Sequence, residues 1–135
     1  MAALRLDHVN IRTGRLAESI AFYGDLLGLR IVPPPMSDDL SRGAYACDAQ
    51  GHPVVHLVGA DRVLPGSEPV RGAAQRGMID HYALRCEGSP EVYAGRLDAA
   101  GHPYERADIP AIGMHLMFVR DPNGIMVELG FPLAD

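Results

Sequence analysis

The sequence lacks long apolar runs and blocks of like charge, and each absence excludes a class of protein. Its apolar runs span only a few residues, too short to cross a bilayer. The N-terminal residues lack the apolar stretch of a secretory signal peptide, so we expect a cytoplasmic protein. The net charge of -5 comes without any run of five or six like charges. This pattern argues against nucleic acid and the membrane surface as partners.

Cysteine is also scarce. The two cysteines, Cys47 and Cys86, lie far apart and form no CxxC pattern. Two unpatterned cysteines fit a reducing compartment better than a disulfide scaffold, and we predict that both are small core residues. With 135 residues, 47% of them apolar and 21% charged, the chain has the composition of one globular domain.

The chain contains an internal repeat. Residues 7–12 and 80–85 both follow the pattern Asp-His-x-x-apolar-Arg and start 73 residues apart. Residues 54–57 (Val-Val-His-Leu) correspond to residues 126–129 (Met-Val-Glu-Leu) at nearly the same offset. The repeat predicts two copies of one unit: module one at about residues 1–59, a connector at about 60–76, and module two at about 77–135.

Each module has the pattern of a β-α-β-β-β unit. Apolar and polar residues alternate in the predicted strands, whereas apolar residues recur at helical spacing between Leu16 and Leu27. Gly28 and Gly101 follow the two predicted helices, and Ser89 with Pro90 opens the second. The fold class is therefore predicted as α+β, with two repeated βαβββ modules. Strands are predicted at residues 4–13, 29–32, 44–48, 53–58, 78–86, 103–107, 113–120 and 125–130.

The last hairpin allows a finer prediction. Asp121-Pro122-Asn123-Gly124 suits a three-residue loop in which Gly124 adopts the left-handed conformation. That loop pairs Phe118 with Glu128 on one face of the sheet and turns His115 to the other face.

Each module carries a potential metal ligand near its start and another near its end: His8 and His56 in module one, and His81 and Glu128 in module two. Imidazole and carboxylate ligands together suit Fe, Mn, Zn, Ni or Co. A carboxylate inside an apolar strand is costly unless it is paired or bound to metal, which strengthens the prediction for Glu128.

Alternation places further residues on the faces that carry these ligands, where they predict a pocket for a small anionic organic substrate. The candidate substrate-binding residues are Asn10, Arg12, Arg85 and Phe118. We assign structural roles to the other histidines, His52, His102 and His115.

Taken in order, several short motifs resemble those of the vicinal oxygen chelate superfamily, which includes glyoxalases, bleomycin resistance proteins and extradiol dioxygenases. They are Asp7-His8-Val9, Phe22-Tyr23-Gly24-Asp25-Leu26-Leu27-Gly28-Leu29, Asp80-His81, Asp121-Pro122-Asn123-Gly124 and Val127-Glu128-Leu129. The resemblance implies curled mixed sheets that surround a metal cavity. It also implies one divalent metal ion on His8, His56, His81 and Glu128, and a homodimer.

The resemblance leaves the reaction open. In extradiol dioxygenases the three ligands match His8, His81 and Glu128, and a histidine acid/base matches His56, so we place this activity first. Those enzymes have a tyrosine ten residues before the Glu ligand, however, and this chain has Phe118 there. Glyoxalases typically carry Glu at the position of His56, and methylmalonyl-CoA epimerases carry Gln.

Two alternatives stand beside the dioxygenase. A glyoxalase-like lyase or isomerase would use the metal to assist proton transfer, with His56 or a metal-bound hydroxide moving the proton. An antibiotic-binding resistance protein would sequester its ligand without turnover. His56 itself has three possible roles: metal ligand, catalytic acid/base or polar core residue.

Overall fold

The repeat in the sequence is a repeat in the structure. A computed structural model describes residues 6, 8–35, 37–60 and 81–133. These residues belong to two units, one within residues 1–73 and the other within residues 74–135. Each unit contains a helix and a four-stranded mixed sheet, which confirms the predicted α+β fold of two βαβββ modules. Most of the predicted connector, Asp7, and residues 78–80 of the predicted fifth strand lie outside the described residues.

The elements of the first unit are β1 (Val9–Thr13), α1 (Leu16–Ala21), a π-helical turn (Phe22–Leu26), β2 (Arg30–Val32), β3 (Gly43–Cys47) and β4 (Pro53–Gly59). The strands pair in the order β1-β4-β3-β2, in which β1 is parallel to β4 and the other neighbours are antiparallel. The register sets Asn10 and Tyr45 directly beside His56, one on each side.

The elements of the second unit are β5 (His81–Arg85), α2 (Pro90–Ala99), β6 (Tyr104–Ile109), a 3₁₀ turn (Pro110–Ile112), β7 (Met114–Arg120) and β8 (Met126–Pro132). The strands repeat the topology of the first unit in the order β5-β8-β7-β6, with β5 parallel to β8. The Ser89 hydroxyl caps α2 by accepting a hydrogen bond from the Glu91 N–H at 3.2 Å, as predicted. None of the helices described is long and apolar enough to cross a membrane.

The first helix differs from the prediction in its second half. The spacing predicts one regular helix to Leu27, but the chain widens into a π-helical turn, in which the Leu27 N–H donates to the Phe22 carbonyl at 3.0 Å. This turn buries both Phe22 and Tyr23, whose rings meet edge to face. The helix still ends at Gly28, whose φ of 81° is the left-handed conformation that the sequence predicts.

Strand alternation gives each sheet one buried face and one face that carries polar side chains. In the first unit Ile11, Val55 and Leu57 are buried, and the residues next to them in sequence point to the other face. In the second unit β8 buries Val127, Leu129 and Phe131 on one face, whereas β7 buries Leu116 on one face and Met117 on the other. The most deeply buried side chains of the second unit are Leu97, Met117, Val119, Val127, Leu129 and Phe131.

Both cysteines are buried and free, as predicted. Burial raises the pKa of the Cys86 thiol to about 11, so the thiol stays protonated at neutral pH. A buried protonated thiol is a weak nucleophile, and Cys86 therefore acts as a small core residue.

The predicted register of the last hairpin is confirmed. The Asp121 N–H donates to the Ile125 carbonyl at 2.9 Å, and Gly124 has a φ of 85°. Phe118 pairs directly with Glu128. The buried Asp121 carboxylate also accepts hydrogen bonds from backbone N–H groups within the loop, which fixes the turn.

Two glycine substitutions should have opposite effects on stability. A Cβ atom at Gly43 would lie 2.7 Å from the Leu57 carbonyl oxygen, so Gly43→Ala should force a backbone shift and cost about 1–3 kcal/mol. In the middle of α2, a Cβ atom at Gly95 meets nothing within 4 Å, so Gly95→Ala should stabilise by about 0.5–1 kcal/mol. Urea unfolding of both variants measures the difference. A Gly43→Ala variant as stable as the parent would contradict the close approach of β3 to β4.

Candidate functional site

The first unit gathers its predicted site residues on one face of its sheet. Asn10 lies opposite His56, and Arg12 lies two residues further along β1. His8, immediately before β1, reaches the same face, where its ring stacks on the ring of His56 with centroids 3.8 Å apart and planes 11° apart. His8 and Asn10 are exposed, whereas Arg12 and His56 are half-buried.

A tyrosine covers the other side of His56. The Tyr45 ring stacks on the His56 ring with centroids 3.9 Å apart and planes 10° apart, so His56 is held between two nearly parallel rings. Nε2 of His56 is inaccessible to solvent. Tyr45 is not among the predicted site residues, although it shares the face of His8 and His56.

The stack affects which groups can bind one metal ion. An imidazole binds a metal through a lone pair in the plane of its ring, with the ion about 2.1 Å from the nitrogen. The planes of His8 and His56 are almost parallel and meet only far from both rings. In this arrangement the two histidines cannot both direct a lone pair at the same ion.

The second unit brings His81 and Glu128 together. The two residues lie on adjacent strands of one sheet face, and His81 Nε2 is 3.9 Å from Glu128 Oε1. This distance is too long for a hydrogen bond. It is shorter than the roughly 4.2 Å that can separate two ligands each about 2.1 Å from one ion. Tetrahedral ligands each about 2.1 Å from an ion lie about 3.4 Å apart, so a small side-chain movement would let both atoms bind one ion.

The environment of Glu128 is mostly apolar. The Phe118 ring stands on the residue directly opposite, Ala83 occupies the position beside it on β5, and only 21% of the Glu128 side chain is exposed. Arg85 is exposed on the same face, opposite Gly130. A half-buried carboxylate next to a histidine and an apolar ring is a reasonable metal ligand.

The donors fit a divalent metal by type, but neither unit alone holds a complete set. Within each unit, the described residues include no group of three or more His, Cys, Asp or Glu side chains placed to hold an ion. Each unit instead holds one pair of candidate ligands, His8 with His56 in the first and His81 with Glu128 in the second. Two or three imidazoles and one carboxylate suit Fe, Mn, Zn, Ni or Co, and each leaves positions open for a substrate.

The remaining histidines take no part in the two candidate ligand pairs, and the side-chain contacts of His115 and His102 lie within the second unit. His115 faces the opposite side of its sheet from Glu128, where its ring accepts a hydrogen bond from Arg106 at 3.1 Å and contacts the Asp108 carboxylate at 2.5 Å. His102 Nε2 lies 2.9 Å from the Arg120 carbonyl oxygen. His52 lies in the turn between β3 and β4, where its backbone N–H donates to the Asp48 carboxylate at 2.9 Å.

The site can be compared with known proteins. The chain matches the family model of the Glyoxalase/Bleomycin resistance protein/Dioxygenase superfamily over residues 5–129. It is 27% identical over 131 residues to a probable lactoylglutathione lyase from Vibrio parahaemolyticus serotype O3:K6 (strain RIMD 2210633). That alignment covers 93% of this chain and 88% of the relative.

Solved structures share the fold at low sequence identity. A virulence protein from Salmonella typhimurium superposes with a TM-score of 0.71 at 16% identity, covering 98% of this chain and 100% of that protein. A lactoylglutathione lyase from Agrobacterium tumefaciens gives a TM-score of 0.65 at 18% identity, with coverages of 97% and 95%. At these identities the similarity establishes the fold alone.

Proposed function

Because the chain belongs to the glyoxalase/bleomycin resistance protein/dioxygenase superfamily, we propose that it is a metal-dependent lyase or isomerase acting on a small oxygenated organic substrate. The residues taken alone favour an extradiol-type dioxygenase, and the comparisons do not support that preference. The Vibrio parahaemolyticus relative, which aligns over most of both chains, is named as a probable lactoylglutathione lyase. Proton transfer assisted by a metal is therefore the better proposal.

In this proposal His8, His81 and Glu128 hold one divalent metal ion. The 3.9 Å separation of His81 Nε2 from Glu128 Oε1 supports two of these ligands. When bound, the metal would stabilise the negative charge that develops on the substrate oxygens. Its identity among Fe, Mn, Zn, Ni and Co is not fixed by this set of donors.

We assign His56 to the acid/base role and not to the ligand set, and the observation that carries this assignment is the ring stack. The parallel His8 and Tyr45 rings hold the imidazole of His56 in one orientation. In this proposal the imidazole of His56 moves a proton on a substrate bound to the metal that His8 holds. Because Nε2 is buried, the transfer uses Nδ1 or requires the stack to open when substrate binds.

The proposed reaction is an isomerisation of a hemithioacetal to an α-hydroxy thioester. His56 takes the proton from the carbon that bears the sulfur and the hydroxyl group, and a proton is returned to the neighbouring carbonyl carbon. The hydroxyl proton moves between the two oxygens, so substrate and product contain the same atoms. Arg12 and Arg85, both on the faces of the candidate ligands, would hold an anionic part of the substrate.

Phe118 argues against ring cleavage. It stands opposite Glu128, at the position where extradiol dioxygenases have a tyrosine, and its ring carries no hydroxyl to bind a catechol. The third alternative is an antibiotic-binding protein without turnover. It would give no role to the two pairs of candidate ligands, His8 with His56 and His81 with Glu128.

The metal content of the purified protein, with oxygen uptake on a panel of catechols, distinguishes the three classes. The proposal expects one Zn, Ni or Co ion per site and no uptake of oxygen. Bound iron with catechol-dependent oxygen uptake would favour the dioxygenase. A protein that binds none of these metals would favour the antibiotic binder.

We also propose that the protein forms a homodimer. In each sheet the outermost strands, β1 and β2 or β5 and β6, have one edge without a partner strand among the described residues, and such edges favour pairing. Sedimentation at micromolar concentration should give about twice the mass of the 14.5 kDa chain. A single species at the chain mass would refute the dimer and leave the proposed reaction untouched.

A further inference from the structure

The two modules place an aromatic residue at the same position, but only one of these residues carries a hydroxyl. Tyr45 stands opposite His56 across β3 and β4, and Phe118 stands opposite Glu128 across β7 and β8. Tyr45 and Phe118 are 73 residues apart, the same offset that relates His8 to His81. At this shared position the first module therefore has a phenol hydroxyl, on Tyr45, and the second module has none.

The surroundings of Tyr45 suggest a use for this phenol. One face of its ring is in contact with His56, and the residue is half-buried. Its hydroxyl makes no hydrogen bond within the part of the chain that the structure describes. The Tyr104 hydroxyl, by contrast, donates to Asp98 at 3.0 Å. A tyrosine hydroxyl without a protein partner can donate a hydrogen bond to a bound substrate.

We propose that Tyr45 is a substrate-binding residue whose hydroxyl donates a hydrogen bond to an oxygen atom of the substrate while its ring holds His56 in place. The proposal rests on the proposed function, since it takes the face of His8 and His56 as the substrate site. It names the class of ligand group recognised there: a carbonyl, hydroxyl or carboxylate oxygen.

The Tyr45→Phe variant separates the hydroxyl from the ring, because phenylalanine preserves the stack on His56. With the hemithioacetal substrate, its KM should rise about tenfold with little change in kcat, the loss expected for one hydrogen bond. Tyr45→Leu removes the ring as well, and its kcat should fall in addition. Tyr104→Phe is the matched control and should behave as the parent protein. Parent-like KM and kcat for Tyr45→Phe would overturn the proposal.

A second measurement does not depend on turnover. The chain has no tryptophan and five tyrosines, so its ultraviolet emission comes from tyrosine. Co²⁺ added to the metal-free protein should quench part of this emission in the parent and in Tyr104→Phe, and less in Tyr45→Phe. If no substrate is turned over, the proposed function fails, and this quenching alone decides whether Tyr45 lies beside the metal. Equal quenching in all three proteins would remove Tyr45 from the site.

Discussion

A Glu128→Gln variant is expected to lose most of its divalent metal while it keeps its fold. Gln has the shape of Glu but no charge, so the substitution removes an anionic ligand and leaves the packing against Phe118 intact. Outer partners of metal ligands are typically worth 10–100-fold in affinity, so loss of a direct ligand should cost at least about 100-fold. Isothermal titration with Zn²⁺ or Co²⁺, together with elemental analysis, measures the effect.

The matched control is Glu105→Gln. Glu105 lies on the edge strand β6, where it pairs with Phe118 of β7, so it shares the sheet face of Glu128 but is two strands further from His81. It is exposed and should not affect metal binding. Parent-like metal content in Glu128→Gln, or an equal loss in both variants, would remove Glu128 from the ligand set.

Replacing His56 should have the largest effect on turnover. If His56 moves the proton, His56→Ala should retain the metal but lower kcat about 10²–10⁴-fold, the usual contribution of a general acid or base. His56→Gln tests the same role with less disturbance of the stack between His8 and Tyr45. His52→Ala, in the turn before β4, is the control and should keep the parent rate.

Metal content of the same variants separates the two roles of His56. An acid/base residue can be removed without loss of the metal, whereas a ligand cannot. Metal release from both His56→Ala and His56→Gln would make His56 a fourth ligand, and the ring stack would then have to open when metal binds. An unchanged rate with unchanged metal content would make His56 a polar core residue.

The sequence predicts the fold well because the fold is repeated. Weak signals in one module, such as the helix that ends at Gly28, are supported by matching signals in the other, such as the helix that ends at Gly101. The Asp121–Gly124 loop has turn chemistry specific enough to set the register of Phe118 against Glu128. The π-helical turn at Phe22–Leu26 was not predicted, because helical spacing of apolar residues does not distinguish it from an α-helix.

Tyr45 shows why part of the site could not be predicted. Cys47 of β3 pairs with Pro53 of β4. If the pairing continued from there without interruption, Ala44 would lie opposite His56, and Tyr45 would point to the buried face of the sheet. An irregularity between Ala46 and Cys47 shifts the register by one residue and brings Tyr45 onto the face of His56. Such a shift reverses every side chain beyond it. The local sequence contains no turn residue that specifies where this shift occurs.

In the sequence, the choice for or against a dioxygenase depended on two residues, one favouring it and one opposing it. His56 favoured a dioxygenase because of its chemical type, and Phe118 opposed it. The sequence gives the residue type of His56 but not the orientation of its ring. The stack of that ring between His8 and Tyr45 shows the orientation. That geometry is compatible with proton transfer in either class, so the similarity to a named lyase carries the choice between them.

The central claim is that the protein moves a proton on a metal-bound substrate without using dioxygen. The most direct test is the rate of hemithioacetal isomerisation by the metal-loaded protein, measured once in air and once after removal of dioxygen. We predict conversion to the α-hydroxy thioester at the same rate under both conditions. No conversion under either condition, together with oxygen-dependent cleavage of a catechol by the same preparation, would contradict the account.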